Sequence, residues 1–260
     1  MRAPSARVAG AVRRARENGH KVFLSTGRNM AIIGGEIKSV GFDGIIASAG
    51  AHVEAGEQVL FDYLLPEETI QECLSVFHEN GLYCRIESPE GIYTDPQMED
   101  LLRSAKADAA NSELIRMQKE IEAGIHIRPY DEYPGHGAYK ICFTSTSAAA
   151  IEETRQILGA RFHYAVHPYA QGSICLNGEI IPCGVDKGKG MELLCRHFGG
   201  DMRDTVAFGD SMNDYEMMLA AGVSVAMENA CEELKRMADR VCESVWDDGI
   251  YHEFLRMGVA

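Results

Sequence analysis

The nine residues Val206-Ala207-Phe208-Gly209-Asp210-Ser211-Met212-Asn213-Asp214 end a short apolar run in a glycine, then present two carboxylates, an amide and a hydroxyl within five positions. A buried parallel strand that stops this way delivers its polar groups to the carboxyl edge of an open α/β sheet, where such folds place their sites. Oxygen donors of this kind suit a hard cation such as Mg²⁺ better than zinc. Asp210, at the strand end, is the natural metal ligand, and Asn213 and Asp214 open the next helix. Asp and Asn are also favoured N-caps. A cap accounts for one of these residues but not for all four polar side chains.

Two further turns carry groups that anions need. Thr26-Gly27-Arg28 lies between a predicted strand and a predicted helix, so it offers a hydroxyl and successive backbone N–H groups at a helix N-terminus. An ordinary strand-to-helix turn explains the tripeptide equally well. Gly184-Val185-Asp186-Lys187-Gly188-Lys189-Gly190 opens another helix. A lysine at a helix start opposes the macrodipole and calls for an anionic partner. Lys187 is the candidate to neutralise a phosphoryl group, with Lys189 in solvent; a solvated surface turn is the competing reading. His163 and His167 are four apart in an extended segment and more simply belong to the surface. Arg13, Arg14 and Arg16 read as a solvated helix face, and Met212, Met217, Met218 and Met227 as core.

The elements that must position these turns follow from periodicity. Ser5 caps a helix whose apolar stripe is Val8, Ala11, Val12 and Ala15, and Gly19 closes it. A strand over 21–24, a helix weakened by Gly34-Gly35 and a strand over 44–47 give the helix–strand rhythm of a parallel α/β sheet. From about Tyr63 the texture changes. Helices are predicted from Pro66 to Val76, over 98–122 and over 148–158, and strands over 82–86, 91–93, 139–143, 162–166 and 173–176. The first rhythm then resumes with a helix over 188–197, strands over 205–208 and 223–226, helices over 215–221 and 230–238, and a closing helix from Gly249. The expected architecture is a Rossmann-like parallel core, residues 1–62 and 182–260, interrupted by an inserted α+β cap over 63–181.

Composition narrows the partners. The formal charge of −14 argues against nucleic acid and anionic membranes, both of which need clustered Lys and Arg. No apolar run is long enough to span a bilayer. Eight cysteines occur without any C-x-x-C pair, which suits reduced thiols in a cytoplasmic protein better than a disulfide framework.

Taken in order, Ser25-Thr26-Gly27-Arg28, the Lys187 turn, Gly209 to Asp214 and then Val225-Ala226-Met227-Glu228-Asn229-Ala230 resemble the haloacid dehalogenase superfamily, most closely its Cof-type sugar-phosphatase-like branch. The resemblance runs from Pro4 to the Asp248-Gly249-Ile250 segment. It implies a Mg²⁺-dependent phosphatase acting on small phosphorylated metabolites such as sugar phosphates, with a large cap inserted between the Thr and Lys turns. By the same resemblance Thr26 and the Gly27 N–H hold phosphoryl oxygens, Arg28 joins the substrate side and Lys187 neutralises the charge. Asp210 binds Mg²⁺, Asp214 orients the metal shell or Lys187, and Asn213 supports the phosphate.

Two departures stand out. Such proteins begin with a strand ending in D-x-D-G-T, whose first Asp attacks phosphorus and whose second acts as acid and base; no D-x-D-G-T occurs in these 260 residues. The second is Ala49-Gly50, where Asn-Gly is usual. Catalysed phosphate-monoester hydrolysis gains up to ~10²¹ over water, roughly 28 kcal/mol. Single electrostatic donors supply on the order of 3–4 kcal/mol each. Thr26, Lys187 and one metal do not make up that difference, so the chain as written is expected to be a poor phosphatase or none. The missing strand would lie mid-sheet, between the strands carrying Thr26 and Asp210, and its loss would leave two inner edges. A shortened N-terminus of an ordinary phosphatase is the simpler expectation. A phosphate-binding protein without turnover and a phosphomutase are the alternatives. The oligomeric state is not legible.

Overall fold

The computed structural model describes residues 4–97, 127–168 and 176–260, which fall into two compact units. The first unit joins 1–28, 33–62 and 184–260; the second joins 29–32 and 63–183. In chain order the elements are α1 (Ala6–Glu17), β1 (Phe23–Ser25), α2 (Gly35–Lys38), β2 (Gly44–Ala47), β3 (His52–Ala55), β4 (Gln58–Asp62), α3 (Glu67–Glu79), β5 (Tyr83–Ser88), β6 (Gly91–Thr94), β7 (Ile127–Pro129), β8 (Lys140–Ser145), α4 (Ala148–Leu158), β9 (Phe162–Pro168), β10 (Leu176–Pro182), α5 (Lys187–His197), β11 (Val206–Gly209), α6 (Tyr215–Ala220), β12 (Val223–Met227), α7 (Glu232–Met237), β13 (Arg240–Cys242) and α8 (Gly249–Arg256). The predicted helix over 98–122 and most of the predicted strand over 173–176 lie outside the described residues.

In the first unit, Ser5 Oγ accepts the Val8 N–H at 3.2 Å and starts α1, whose buried face is Ala11, Val12 and Ala15. Gly19 follows with φ 95°, the left-handed turn expected of a residue just past a helix end. β1 pairs parallel with β2, as the helix–strand rhythm predicts. Beyond β2 the sheet turns antiparallel through β3 and β4, a hairpin closed by Gly56-Glu57 that the sequence reading did not include. The predicted helix after Arg28 is reduced to a short turn at Met30–Ile32 and the four-residue α2, consistent with two adjacent glycines.

β11, β12 and β13 form a separate parallel sheet in the same unit. Among the described residues β1 pairs only with β2, and β11 only with β12, so each strand keeps one unpaired edge. Both sheets feed one interior. Ile46 and Val53 pack with Leu194, Ala207, Met217, Met218, Ala226 and Leu234. Val22 and Phe208 share a second cluster with Ala11, Val12, Ala15 and Phe254. Burial of this apolar surface, at about 25 cal/mol per Å², is what positions the three polar turns. Met212 is the exception among the methionines expected in the core; it sits half-buried in the turn after β11.

The second unit is built on a six-stranded sheet ordered β7-β6-β5-β8-β10-β9, antiparallel except for β6 with β7. Helices α3 and α4 bury Ile70, Phe77 and Ile151 against Ile86, Ile141, Phe143 and Ile180. Alternation along β5 and β8 puts Arg85, Glu87, Lys140 and Cys142 on the opposite face. These residues are buried too, with Arg85 1% exposed. Among the described residues no helix is long and apolar enough to cross a membrane. Seven cysteines are free thiols, five of them buried.

Candidate active site

β11 stops at Gly209, and the chain turns so that Asp214 reaches back over its own start. Asp214 Oδ2 accepts the Asp210 N–H at 3.0 Å and the Ser211 N–H at 3.2 Å. Its other oxygen takes Lys187 Nζ at 2.6 Å. Lys187 also donates to Asn213 Oδ1 at 2.8 Å, and Ser211 Oγ donates to the same oxygen at 2.7 Å. Thus Lys187 and Asp214 form a buried ion pair, 4% and 7% exposed. The solvated-surface reading of the Lys187 turn is therefore excluded.

Asp186 places that lysine. Its side chain accepts the Lys189 N–H at 2.8 Å as the N-cap of α5, so Lys187 enters the first turn pointing inward while Lys189 stays exposed. The turn after β2 abuts the same cap. A Cβ on Gly50, whose φ is 107°, would stand 2.2 Å from the Asp186 carbonyl oxygen. No side chain fits there. Ser48 and Ala49 precede it with φ of 49° and 57°, left-handed values unusual away from glycine. Asparagine adopts this conformation more readily than alanine, which gives the usual Asn at position 49 a backbone rationale.

The Thr26 turn joins from β1. Thr26 N–H donates to Ile46 O at 2.8 Å and its carbonyl accepts the Ala49 N–H at 3.1 Å. Its hydroxyl accepts the Arg28 N–H at 3.1 Å, fixing a tight turn. A Cβ on Gly27 would lie 3.3 Å from Asn213 Nδ2, so Gly27 and Asn213 are immediate neighbours. Arg28, expected on the substrate side, is 5% exposed, and its carbonyl takes the Ser48 N–H. Structurally it braces the β2 turn.

Asp210 has a different environment from Asp214. Although Asp210 is exposed as a residue, partial loss of solvent around its carboxyl, then the Asp214 carboxylate, push its pKa up from 3.8, against the opposing pull of Lys187. Asp210 Oδ2 accepts one hydrogen bond, from Asn229 Nδ2 at 3.3 Å. Asn229 in turn accepts the Val245 N–H at 2.9 Å. No role was assigned to Asn229 from the sequence, although it lies in the segment after β12 that carried part of the resemblance; its link to Asp210 depends on strand pairing. Of the two roles expected for Asp214, its contacts match the second: one oxygen takes Lys187 and the other two backbone N–H groups.

The donor set fits a hard divalent ion. The turn sets two carboxylates beside one lysine, and oxygen donors of this kind suit a hard cation. His163 lies exposed on β9 in the second unit, and the side chain of His167 lies outside the described residues.

The family profile of the haloacid dehalogenase-like hydrolases matches residues 2–254. The chain belongs to this family. Within it the likeness is to the Cof-type branch. The chain is 26% identical over 246 residues to the putative phosphatase YkrA of Bacillus subtilis, covering 93% of this chain and 86% of that protein. It is likewise 26% identical over 223 residues to the HMP-PP phosphatase of Yersinia pestis, covering 84% and 75%. Among solved structures, the phosphatase BT1666 from Bacteroides thetaiotaomicron superposes with a TM-score of 0.77 at 21% identity, covering 98% of this chain and 88% of that one. The subclass IIB sugar phosphatase BT4131 superposes with a TM-score of 0.76 at 22% identity, covering 98% and 92%. At these identities the structural likeness establishes the α/β fold of the hydrolase.

Proposed function

We propose that this site binds Mg²⁺ and the phosphoryl group of a small phosphorylated metabolite, such as a sugar phosphate. The observation that carries the reading is the buried Lys187, held by Asn213 and Asp214 beside Asp210. Asp210 is the metal ligand. Lys187 neutralises phosphoryl oxygens, Asp214 fixes its position, and the Gly27 N–H and Thr26 hydroxyl supply donors from β1. Asn229 orients Asp210. Mg²⁺, when bound, supplies Lewis-acid charge to the phosphoryl oxygens. The relatives, phosphatases of HMP-PP and of sugars, favour phosphoryl hydrolysis on small substrates.

Turnover is a separate matter. The 260 residues contain no D-x-D-G-T, the motif expected to supply the Asp nucleophile and its acid/base partner. A second reading is therefore a binding protein that holds metal and a phosphorylated ligand without hydrolysing it. One experiment addresses both. Thermal unfolding of the full chain is followed with Mg²⁺, a sugar phosphate or both, alongside phosphate release. A shift that needs both ligands, without release, supports binding by these 260 residues; release supports hydrolysis. Absence of any shift and any release rejects the site.

A further inference from the structure

One cluster in the second unit belongs to none of these turns. His78 is in the last turn of α3, Cys84 is the second residue of β5 and Asp95 directly follows β6. Their imidazole, thiol and carboxylate donor atoms all lie within 4.8 Å of one another. We propose that His78, Cys84 and Asp95 form a binding site for a borderline transition-metal ion, with Zn²⁺ as its natural occupant.

Donor chemistry and anchoring carry this inference. Nitrogen, sulfur and carboxylate oxygen together favour zinc over magnesium, the reverse of the oxygen set around Asp210. Zinc bonds of about 2.0–2.3 Å in a tetrahedron put donors roughly 3.3–3.8 Å apart. Small side-chain rotations close the gap from the observed limit. The backbone is already fixed: Cys84 N–H donates to Asp95 Oδ2 at 2.7 Å, and Asp95 N–H returns to Cys84 O at 3.1 Å. Thr94 Oγ1 also donates to Cys84 O, at 3.3 Å. His78 Nε2 meets Asp95 Oδ2 at 2.8 Å, and among the described residues Asp95 Oδ1 accepts no hydrogen bond. An ion at Nε2 and a carboxylate oxygen would replace that contact and leave Cys84 N–H as support for the carboxylate.

Access suits loading from solvent. The His78 side chain is 45% exposed and that of Asp95 13%, while Cys84 forms the buried floor at 2%. The ion would tie the end of α3 to the β5–β6 hairpin, with its fourth position open to water. Asp95 alone is explained as the ion-pair partner of His78. The thiol behind them, from a third element, makes a ligand set.

The test uses the full chain, stripped with a chelator and dialysed against Zn²⁺ in a large excess of Mg²⁺. Stoichiometric zinc is expected to remain. Co²⁺ in its place is expected to give a thiolate-to-cobalt charge-transfer band, which oxygen ligands cannot produce. His78→Ala, at a half-exposed position, is expected to weaken Zn²⁺ affinity by more than ~10-fold with the fold intact. Cys84→Ser is expected to abolish the band, and Asp210→Asn to leave it unchanged. No retained zinc in Mg²⁺, no band, or a band that survives His78→Ala overturns the proposal. If Cys84→Ser does not fold, His78→Ala alone decides.

Discussion

Lys187 and Lys140 are both buried, 4% and 2% exposed, and both meet carboxylates, yet their surroundings differ in charge balance. On the second unit's sheet, Lys140 Nζ lies 2.6 Å from Glu179 and 3.6 Å from Glu87, and Arg85 lies 2.8 Å from Glu87. Among the described residues, two cations face two anions across three neighbouring strands. Around Lys187, among the described residues, one cation faces Asp214 and Asp210, and its ion pair is with Asp214. Asp210 is the carboxyl whose pKa rises, through loss of solvent and then the neighbouring Asp214 charge. Burial of charge alone is thus a poor guide to a site, because paired charges also stabilise a particular sheet arrangement. Charge left uncompensated at a strand end is the more telling sign.

The comparison can be broken at either lysine. Lys187→Ala leaves Asp214 buried beside Asp210 without a cation, so it is expected to cost about 3–5 kcal/mol in denaturant unfolding. It is also expected to remove any stabilisation by phosphate ligands. A loss below about 1 kcal/mol would mean that the pair is not formed in solution.

Arg85→Met tests the balanced cluster. Glu87 retains Lys140, so a smaller loss of about 2–3 kcal/mol is expected, with the Mg²⁺-dependent thermal shift unchanged. A lost Mg²⁺ response in this variant would erase the distinction between the two regions.

Asp210→Asn sharpens the other side by its pH dependence. A carboxyl whose folded pKa is raised above 3.8 binds more protons in the native than in the unfolded chain between the two values. Its contribution to stability therefore falls as pH rises through the folded pKa. Without metal, Asp210→Asn is expected to be increasingly more stable than the parent as pH climbs from about 4. Added Mg²⁺ is expected to stabilise the parent alone. Paired melting curves across pH, with and without Mg²⁺, check both; parallel curves would show that Asp210 bears no such strain.

Ala49→Asn is expected to have the smallest effect, a gain of up to about 1 kcal/mol, because asparagine relaxes a left-handed position that alanine holds under strain. Chemical denaturation suffices, and a loss would show that the turn selects alanine for another reason.

Much of the fold was legible where local signals agreed. Ser5, the α1 stripe and Gly19 specify that helix, and the apolar run into Gly209 marks β11. The β3–β4 hairpin was missed because its strands are short and only partly alternating, and a bulge between Val53 and Glu54 interrupts their register. The enclosure of Arg28 and Arg85 was not legible, because a lone arginine in sequence reads as surface or ligand-facing and only packing shows that it is enclosed.

The sequence by itself determined the polar chemistry: a strand ending in Asp210, a lysine at a helix start, a Thr-Gly turn, and the absence of D-x-D-G-T. Those depend on residue type and short spacing. Tertiary structure decided which carboxylate holds the lysine and which is left over, and that Asn229 reaches Asp210 from the next strand. Among the described residues it also leaves β1 and β11 each with an unpaired edge. The two contacts join residues 27 and 19 positions apart, and only the packing of the sheets brings them within hydrogen-bond distance.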